Sequence, residues 1–181
     1  MKREEALELV RKHLKNKNLV KHCLAVEACM KSVAVRIGQE EEKWGLAGIL
    51  HDLDYELTEK SPELHTTETV KIVKELGVEP EIIQAIQAHA GKVPCQTPMD
   101  WAIFSIDPLT GLIIAATLMH PTKKLKDVDL DFVKRRYKEK SFAKGARREE
   151  IEECKNIPLE LDEFISLCLQ AMQGIDKDLG L

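Results

Sequence analysis

Aromatic side chains are scarce in this sequence: two Trp, two Tyr and four Phe make up 4% of its 181 residues. No stretch alternates polar and apolar residues for long enough to make a useful strand, which argues against a sheet. The abundance of Ala, Leu, Ile, Val, Glu and Lys favours helices instead. The five cysteines (Cys23, Cys29, Cys95, Cys154 and Cys168) include no Cys-x-x-Cys pair, so the common thiolate zinc and dithiol redox motifs are missing. Their odd number, behind a start (Met1-Lys2-Arg3-Glu4-Glu5) that reads as an amphipathic helix and not as a signal peptide, gives a cytoplasmic expectation. A net charge of only -4 excludes a chain-wide surface for polyanions. No aromatics interleave the basic residues for base stacking, so nucleic acid is not the expected partner. Internal repeats and low-complexity segments are absent.

What is present is an ordinary globular composition, 44% hydrophobic and 32% charged, on a chain long enough for one domain with a real core. We read residues 1–122 as an all-α helical core and 123–181 as a helical C-terminal extension packed on it. The apolar run from Trp101 to Met119 approaches membrane-spanning length, but Asp107, Pro108, Thr110 and Thr117 within it predict a buried core helix and no membrane partner. Helix ends are readable. The first helix covers 3–14. Asn18 is placed as the cap of the second, which stops at Gly38. A third spans roughly Glu40 to Asp52, where Gly45 and Gly48 suit a closely packed neighbour. Ser61-Pro62-Glu63 opens a helix running to Gly77, and Pro80-Glu81 opens another ending near Gly91. Two or three further helices fill 129–175.

Chemistry concentrates at His22, His51-Asp52, His65, His89 and Asp107. Helical spacing puts His22 on a stripe with Val26 and Cys29, and aligns His65 with Thr69, Ile72 and Leu76. His89 follows Ile82 and Ile86, and Asp107 shares a face with Phe104, Gly111 and Ile114. An ionised Asp on an inner apolar face costs several kcal/mol unless a cation or a hydrogen-bond network meets it. Imidazole with carboxylate suits a divalent transition metal (Mn, Fe, Co, Ni or Zn), one or two ions per chain. Pro108 disfavours helical geometry at Asp107, which predicts a kink or a helix start there. His13 and His120 read as a solvated and a loop residue, and Cys23 as packing.

The order His…His-Asp…His…His…Asp on successive helices resembles the HD-domain superfamily of metal-dependent phosphohydrolases. The stretch Gly48-Ile-Leu-His-Asp-Leu-Asp54-Tyr-Glu56 is similar to the signature of a bacterial and archaeal branch of it. The segment Phe142-Ala-Lys-Gly-Ala-Arg147-Arg148-Glu-Glu-Ile resembles that branch's tail, and no Gly-Tyr-Pro signature follows the HD pair. The resemblance implies that His22, His51, Asp52 and Asp107 bind a first metal. In members with two ions, it implies that Asp52 bridges and that His65 and His89 hold the second.

The expected activity is hydrolysis of a phosphate ester or anhydride on a small phosphorylated substrate, a nucleotide by preference. Asp52 is the expected orienting group, and Glu56 or Asp54 serves either as proton acceptor or in a surface or capping role. Phosphate also needs positive charge. Between Lys123 and Arg148 eleven basic residues face four acidic ones, a local +7 that leaves -11 for the rest. From that segment Lys123, Lys124, Arg147 and Arg148 are the expected substrate contacts. Two rival readings are a non-catalytic metal- or nucleotide-binding regulatory module and a structural metal site closed to water. A homodimer stays open.

Overall fold

The computed structural model describes residues 1–181, and it is built of helices and turns with no strand. The all-α expectation holds. Eleven α-helical segments follow one another: α1 (Arg3–His13), α2 (Lys17–Arg36), α3 (Glu41–Leu50), α4 (Tyr55–Thr58), α5 (Thr67–Glu75), α6 (Pro80–His89), α7 (Pro98–Met119), α8 (Leu130–Lys138), α9 (Arg148–Ile151), α10 (Leu161–Gln173) and α11 (Asp176–Leu179). Short 3-10 turns lie at Pro62–Leu64, Leu125–Asp127 and Glu152–Asn156.

The two long helices, α2 and α7, pack on each other and form the spine. α3 runs along α2 at very close range, and Gly48 is the reason. A Cβ there would stand 2.9 Å from both the Cα and the backbone N of Glu27, so only glycine admits the neighbouring backbone. The same turn of α2 is tied to α1, where Arg3 grips the buried Glu27 carboxylate through Nε at 2.5 Å and Nη2 at 2.9 Å.

α7 begins at a complete capping box. The Thr97 hydroxyl accepts from Asp100 N, while the Asp100 carboxylate accepts from Gln96 N and Thr97 N. By length and composition α7 could cross a membrane. Here Ala102, Ile103, Ile106, Leu109, Leu112 and Ile113 are fully buried, and α2, α6, α8, α9 and α10 pack around the helix. The helix start expected at Asp107 does not occur. Pro108 sits inside one continuous helix, whose apolar packing on several sides outweighs the hydrogen bond lost at the Phe104 carbonyl.

Three other boundaries differ from expectation. Asn16, not Asn18, caps α2, its side chain accepting from Asn18 N at 2.9 Å. α3 stops at Leu50, so His51 and Asp52 stand on a run of turns. The helix expected from Ser61 to Gly77 is split, with Thr66 in the left-handed region at φ 70° and α5 starting only at Thr67. After α7 the chain returns over the core, α10 seating Phe164, Ile165, Cys168 and Met172 between α2 and α7.

Candidate metal centre

Three helices and two turns deliver the ligand set to one place. His22 comes from the second turn of α2, and His51 and Asp52 from the turns after α3. His65 comes from the break before α5, His89 from the last residue of α6, and Asp107 from the middle of α7. All six sequence-selected ligands converge. His22 Nε2 lies 2.9 Å from Asp107 Oδ1 and 3.2 Å from His51 Nε2. Asp52 faces both ways, with Oδ2 3.4 Å from His51 Nε2 and 3.7 Å from His22 Nε2. Its Oδ1 is 3.2 Å from His65 Nε2 and 3.4 Å from His89 Nε2, and those two nitrogens are 3.2 Å apart.

The protons of the four imidazoles are accounted for on the far side. His51 Nδ1 donates to the Gly48 carbonyl at 2.7 Å and His89 Nδ1 to the Ile86 carbonyl at 2.6 Å. His65 Nδ1 donates to Asp54 Oδ1 at 3.0 Å. The Thr110 hydroxyl donates to the Asp107 carbonyl, which leaves it to accept from His22 Nδ1 at 3.2 Å. With every Nδ1 protonated, four Nε2 lone pairs and three carboxylate oxygens point at each other with no hydrogen between them. Such a cluster repels itself unless cations fill it. Bonds of about 2.0–2.2 Å to one ion set ligand–ligand edges of about 2.8–3.6 Å, and the separations here run from 2.9 to 3.7 Å. The donor set therefore fits divalent metal, in two groups that share Asp52.

Without an ion the carboxylates favour protonation of His51 and His65. Burial opposes charging of His51, yet Asp52, beside it, and Asp107 hold its pKa up. His65 is pushed up to about 9: burial works against it, but Asp52 and Asp54 on either side prevail. Asp52 is held well below the usual carboxylate range, its own desolvation overcome by His51, His65 and His89. Asp107 is likewise held low by His22 against the cost of burial.

Asp54 was weighed from the sequence as a proton acceptor or as a surface or capping residue, and the structure places it in a capping role. Its carboxylate, 1% exposed, accepts from Thr66 N at 3.0 Å, Thr69 N at 3.1 Å and His65 Nδ1. It caps α5 from a distance and orients the His65 ring. The spacing of Asp54 two residues after Asp52 was the available signal.

Several other expected site residues stand elsewhere. The Glu56 carboxylate accepts from Lys15 N at 2.6 Å and Asn16 N at 2.8 Å, closing the α1–α2 turn, and it does not line the cleft. Lys123 and Lys124 are exposed beyond the end of α7 and do not line it either. Arg148 is spent on the backbone: it donates to the carbonyls of Tyr137 (3.1 Å), Ala143 (3.0 Å), Ala146 (2.5 Å), Phe142 (2.8 Å) and Arg136 (3.2 Å). It thereby fastens the 139–147 loop to the end of α8. Arg147 does reach the cleft, paired with Glu150 at 2.5 Å. Burial pushes the Glu150 carboxyl up, with Arg147 opposing.

The cleft above the ligands has a volume of about 920 Å³. His89 and Asp52 line its floor at 2% and 6% side-chain exposure, His51 is fully buried and does not line it, and Asp107 is the most open ligand at 34%. Tyr55 and Phe104 line its sides. Cys23, next to His22, is buried, and burial holds its thiol well up, as packing requires.

Ribonuclease Y of Oleidesulfovibrio alaskensis is 25% identical over 167 residues, 91% of this chain and 32% of the relative. Ribonuclease Y of Thermosipho melanesiensis is 27% identical over 128 residues, 71% of this chain and 24% of that protein. Ribonuclease Y of Syntrophobacter fumaroxidans is 28% identical over 94 residues, 52% of this chain and 18% of that protein. The chain thus spans about a third or less of the curated relatives it matches. No solved structure gives a significant match. The model of the HD domain matches residues 19–130, a span that holds all six converging ligands and more than half of the chain, and the chain belongs to the HD-domain family.

Proposed function

We propose that this chain is a metal-dependent phosphohydrolase that cleaves a phosphate ester or anhydride of a nucleotide. One observation carries the reading: four Nε2 lone pairs and three carboxylate oxygens converge under an open cleft, with every imidazole proton turned outward. His22, His51, Asp107 and Asp52 Oδ2 would hold one divalent ion; His65, His89 and Asp52 Oδ1 would hold a second. Bound metal lowers the pKa of water toward neutrality and polarises a phosphoryl oxygen.

The chain's own residues supply the rest. Asp52, engaged on both oxygens, fixes the separation of the two halves. Asp107, the most open ligand, has Oδ2 free to take a proton from the attacking water. Arg147 is the only Lys or Arg lining the cleft and supplies positive charge for phosphate. A volume of about 920 Å³ accommodates a nucleotide. The ribonuclease names of the relatives add phosphodiesters to the substrates worth assaying.

The test is turnover of p-nitrophenyl phosphate and bis-p-nitrophenyl phosphate by Mn-loaded protein, with metal per chain measured by plasma mass spectrometry. Asp52→Asn should lower kcat by about a hundred- to a thousandfold, as expected when the carboxylate shared by both ions is lost and with it their stabilisation of charge at the reacting phosphate. Full activity in that variant would overturn the mechanism.

A further inference from the structure

The metal ligands occupy only part of the cleft, and the remainder has features that phosphate hydrolysis alone does not require. Phe104, Asp107, Pro108 and Gly111 lie on one face of α7, and all four line the cleft. Gly111 is the unexpected member. It sits in the interior of a 22-residue helix, where glycine costs about 1 kcal/mol against alanine. No packing explains it, because a Cβ there would meet nothing within 4 Å. Gly48, in the same protein, shows what a packing glycine looks like, with backbone at 2.9 Å. Gly111 keeps empty a space about 6 Å along the helix from Asp107. Pro108 adds a second feature. Having no N–H, it leaves the Phe104 carbonyl without its helical partner, an acceptor on the same face.

Across from this face runs the 143–147 loop, its Ala143, Gly145 and Ala146 equally small and lining the same space. Of its two cations only Arg147 lines the cleft, standing at the rim with 61% of its side chain exposed, while the central ligands His51, Asp52 and His89 lie at 6% or less. The loop is not free to swing. Arg148 clamps five of the carbonyls around it, so Arg147 is held at a fixed station. At that station the guanidinium faces Glu150, an anion that a stronger one can displace.

We propose that this outer part of the cleft is a second subsite, which takes the nucleoside of the substrate against Gly111 and a further, non-scissile phosphate on Arg147. The preferred substrate class is accordingly a nucleotide carrying two separated phosphates, whether a nucleoside bisphosphate or a short oligonucleotide end. This rests on the phosphohydrolase reading for the position of the scissile group. The guanidinium exchanges Glu150 for the second phosphate, and Glu150 is left to accept from a hydroxyl of the sugar.

The experiment is calorimetric titration of the Mn-loaded full chain with adenosine 3′,5′-bisphosphate, adenosine 5′-monophosphate and inorganic phosphate, both nucleotides keeping a free 2′-hydroxyl. The bisphosphate should bind at least five-fold tighter than the monophosphate, and Arg147→Ala should abolish that preference. Gly111→Val should weaken both nucleotides at least five-fold relative to inorganic phosphate, whereas Gly111→Ala should raise Tm and so report an intact fold. A smaller preference in the native chain, a preference that survives Arg147→Ala, or nucleotides indifferent to Gly111→Val each overturns the subsite. A capped dinucleotide and the bisphosphate, compared in the same assay, separate the two sources of the second phosphate. Binding with the predicted preference but no turnover of any ester would sink the phosphohydrolase reading alone. Turnover without preference would sink the subsite alone.

Discussion

Asp54→Asn isolates the support of one ligand from the ligand itself. The native carboxylate holds Thr66 N–H and His65 Nδ1–H on Oδ1 and Thr69 N–H on Oδ2. Asparagine offers one oxygen and one NH2, so at least one buried donor must face another donor. Losing one charge-assisted bond to a buried group costs about 1.5–3 kcal/mol. For a chain of this length each kcal/mol moves Tm by about 2–4 °C, which gives a drop of about 3–12 °C in metal-free protein. The second effect falls on metal. An imidazole that loses its carboxylate partner is less basic and less fixed, and such changes cost about 10–100-fold in affinity. Differential scanning fluorimetry reads the first effect. The second is read by metal per chain after equilibration in dilute chelator, with one ion expected to leave before the other. Two ions held with native affinity, together with a Tm within about 1 °C of the native chain, would refute the assignment of Asp54.

Other consequences can be measured with the same protein. Gly48→Ala drives a methyl group into the backbone of α2 and should lower stability by about 1–3 kcal/mol in urea unfolding, through a displacement of α3. Arg148→Lys cannot span five carbonyls with one ammonium group; it should lower Tm and open the 139–147 loop to proteolysis, and an unchanged digestion pattern would count against the clamp. In chelated protein the folded pKa of His65, about 9, lies above its ordinary value of about 6.5. The stability it contributes is full below about pH 6.5 and is lost as pH rises through about 9. Tm of the metal-free chain should therefore fall across that window and flatten in His65→Gln. The metal-loaded chain should not show that fall, because deprotonated ligands bind ions better.

Much of the centre was legible because an inward histidine or aspartate on an apolar helix face is costly, and six of them in order have few explanations. The helical class was legible for the same reason, from apolar spacing. What escaped the sequence was settled at long range. The helix expected from Ser61 breaks at Thr66 because Asp54, twelve residues earlier, captures Thr66 N and supplies the cap of α5 that local residues do not. Glu56 is drawn to Lys15 and Asn16, forty residues away, and no local pattern marks a side chain that closes a distant turn. Arg147 and Arg148 are adjacent and chemically identical, yet one faces the cleft and the other faces carbonyls. Only the path of the loop distinguishes them. Asp107 remained helical since the packing around α7 exceeds what Pro108 removes.

Gly48 links two of these themes. Its missing side chain sets how near α3 lies to α2, and its carbonyl receives the proton of His51 Nδ1. His22 rides on α2 and His51 on the end of α3, so the gap between two donor atoms is inherited from a backbone contact one helical turn away. A cage whose width is fixed by main chain and not by flexible side chains cannot expand for a larger cation. On the proposed reading ion choice is a property of the core, and a mutation that loosens the α2–α3 contact should widen the range of metals accepted before it unfolds the chain.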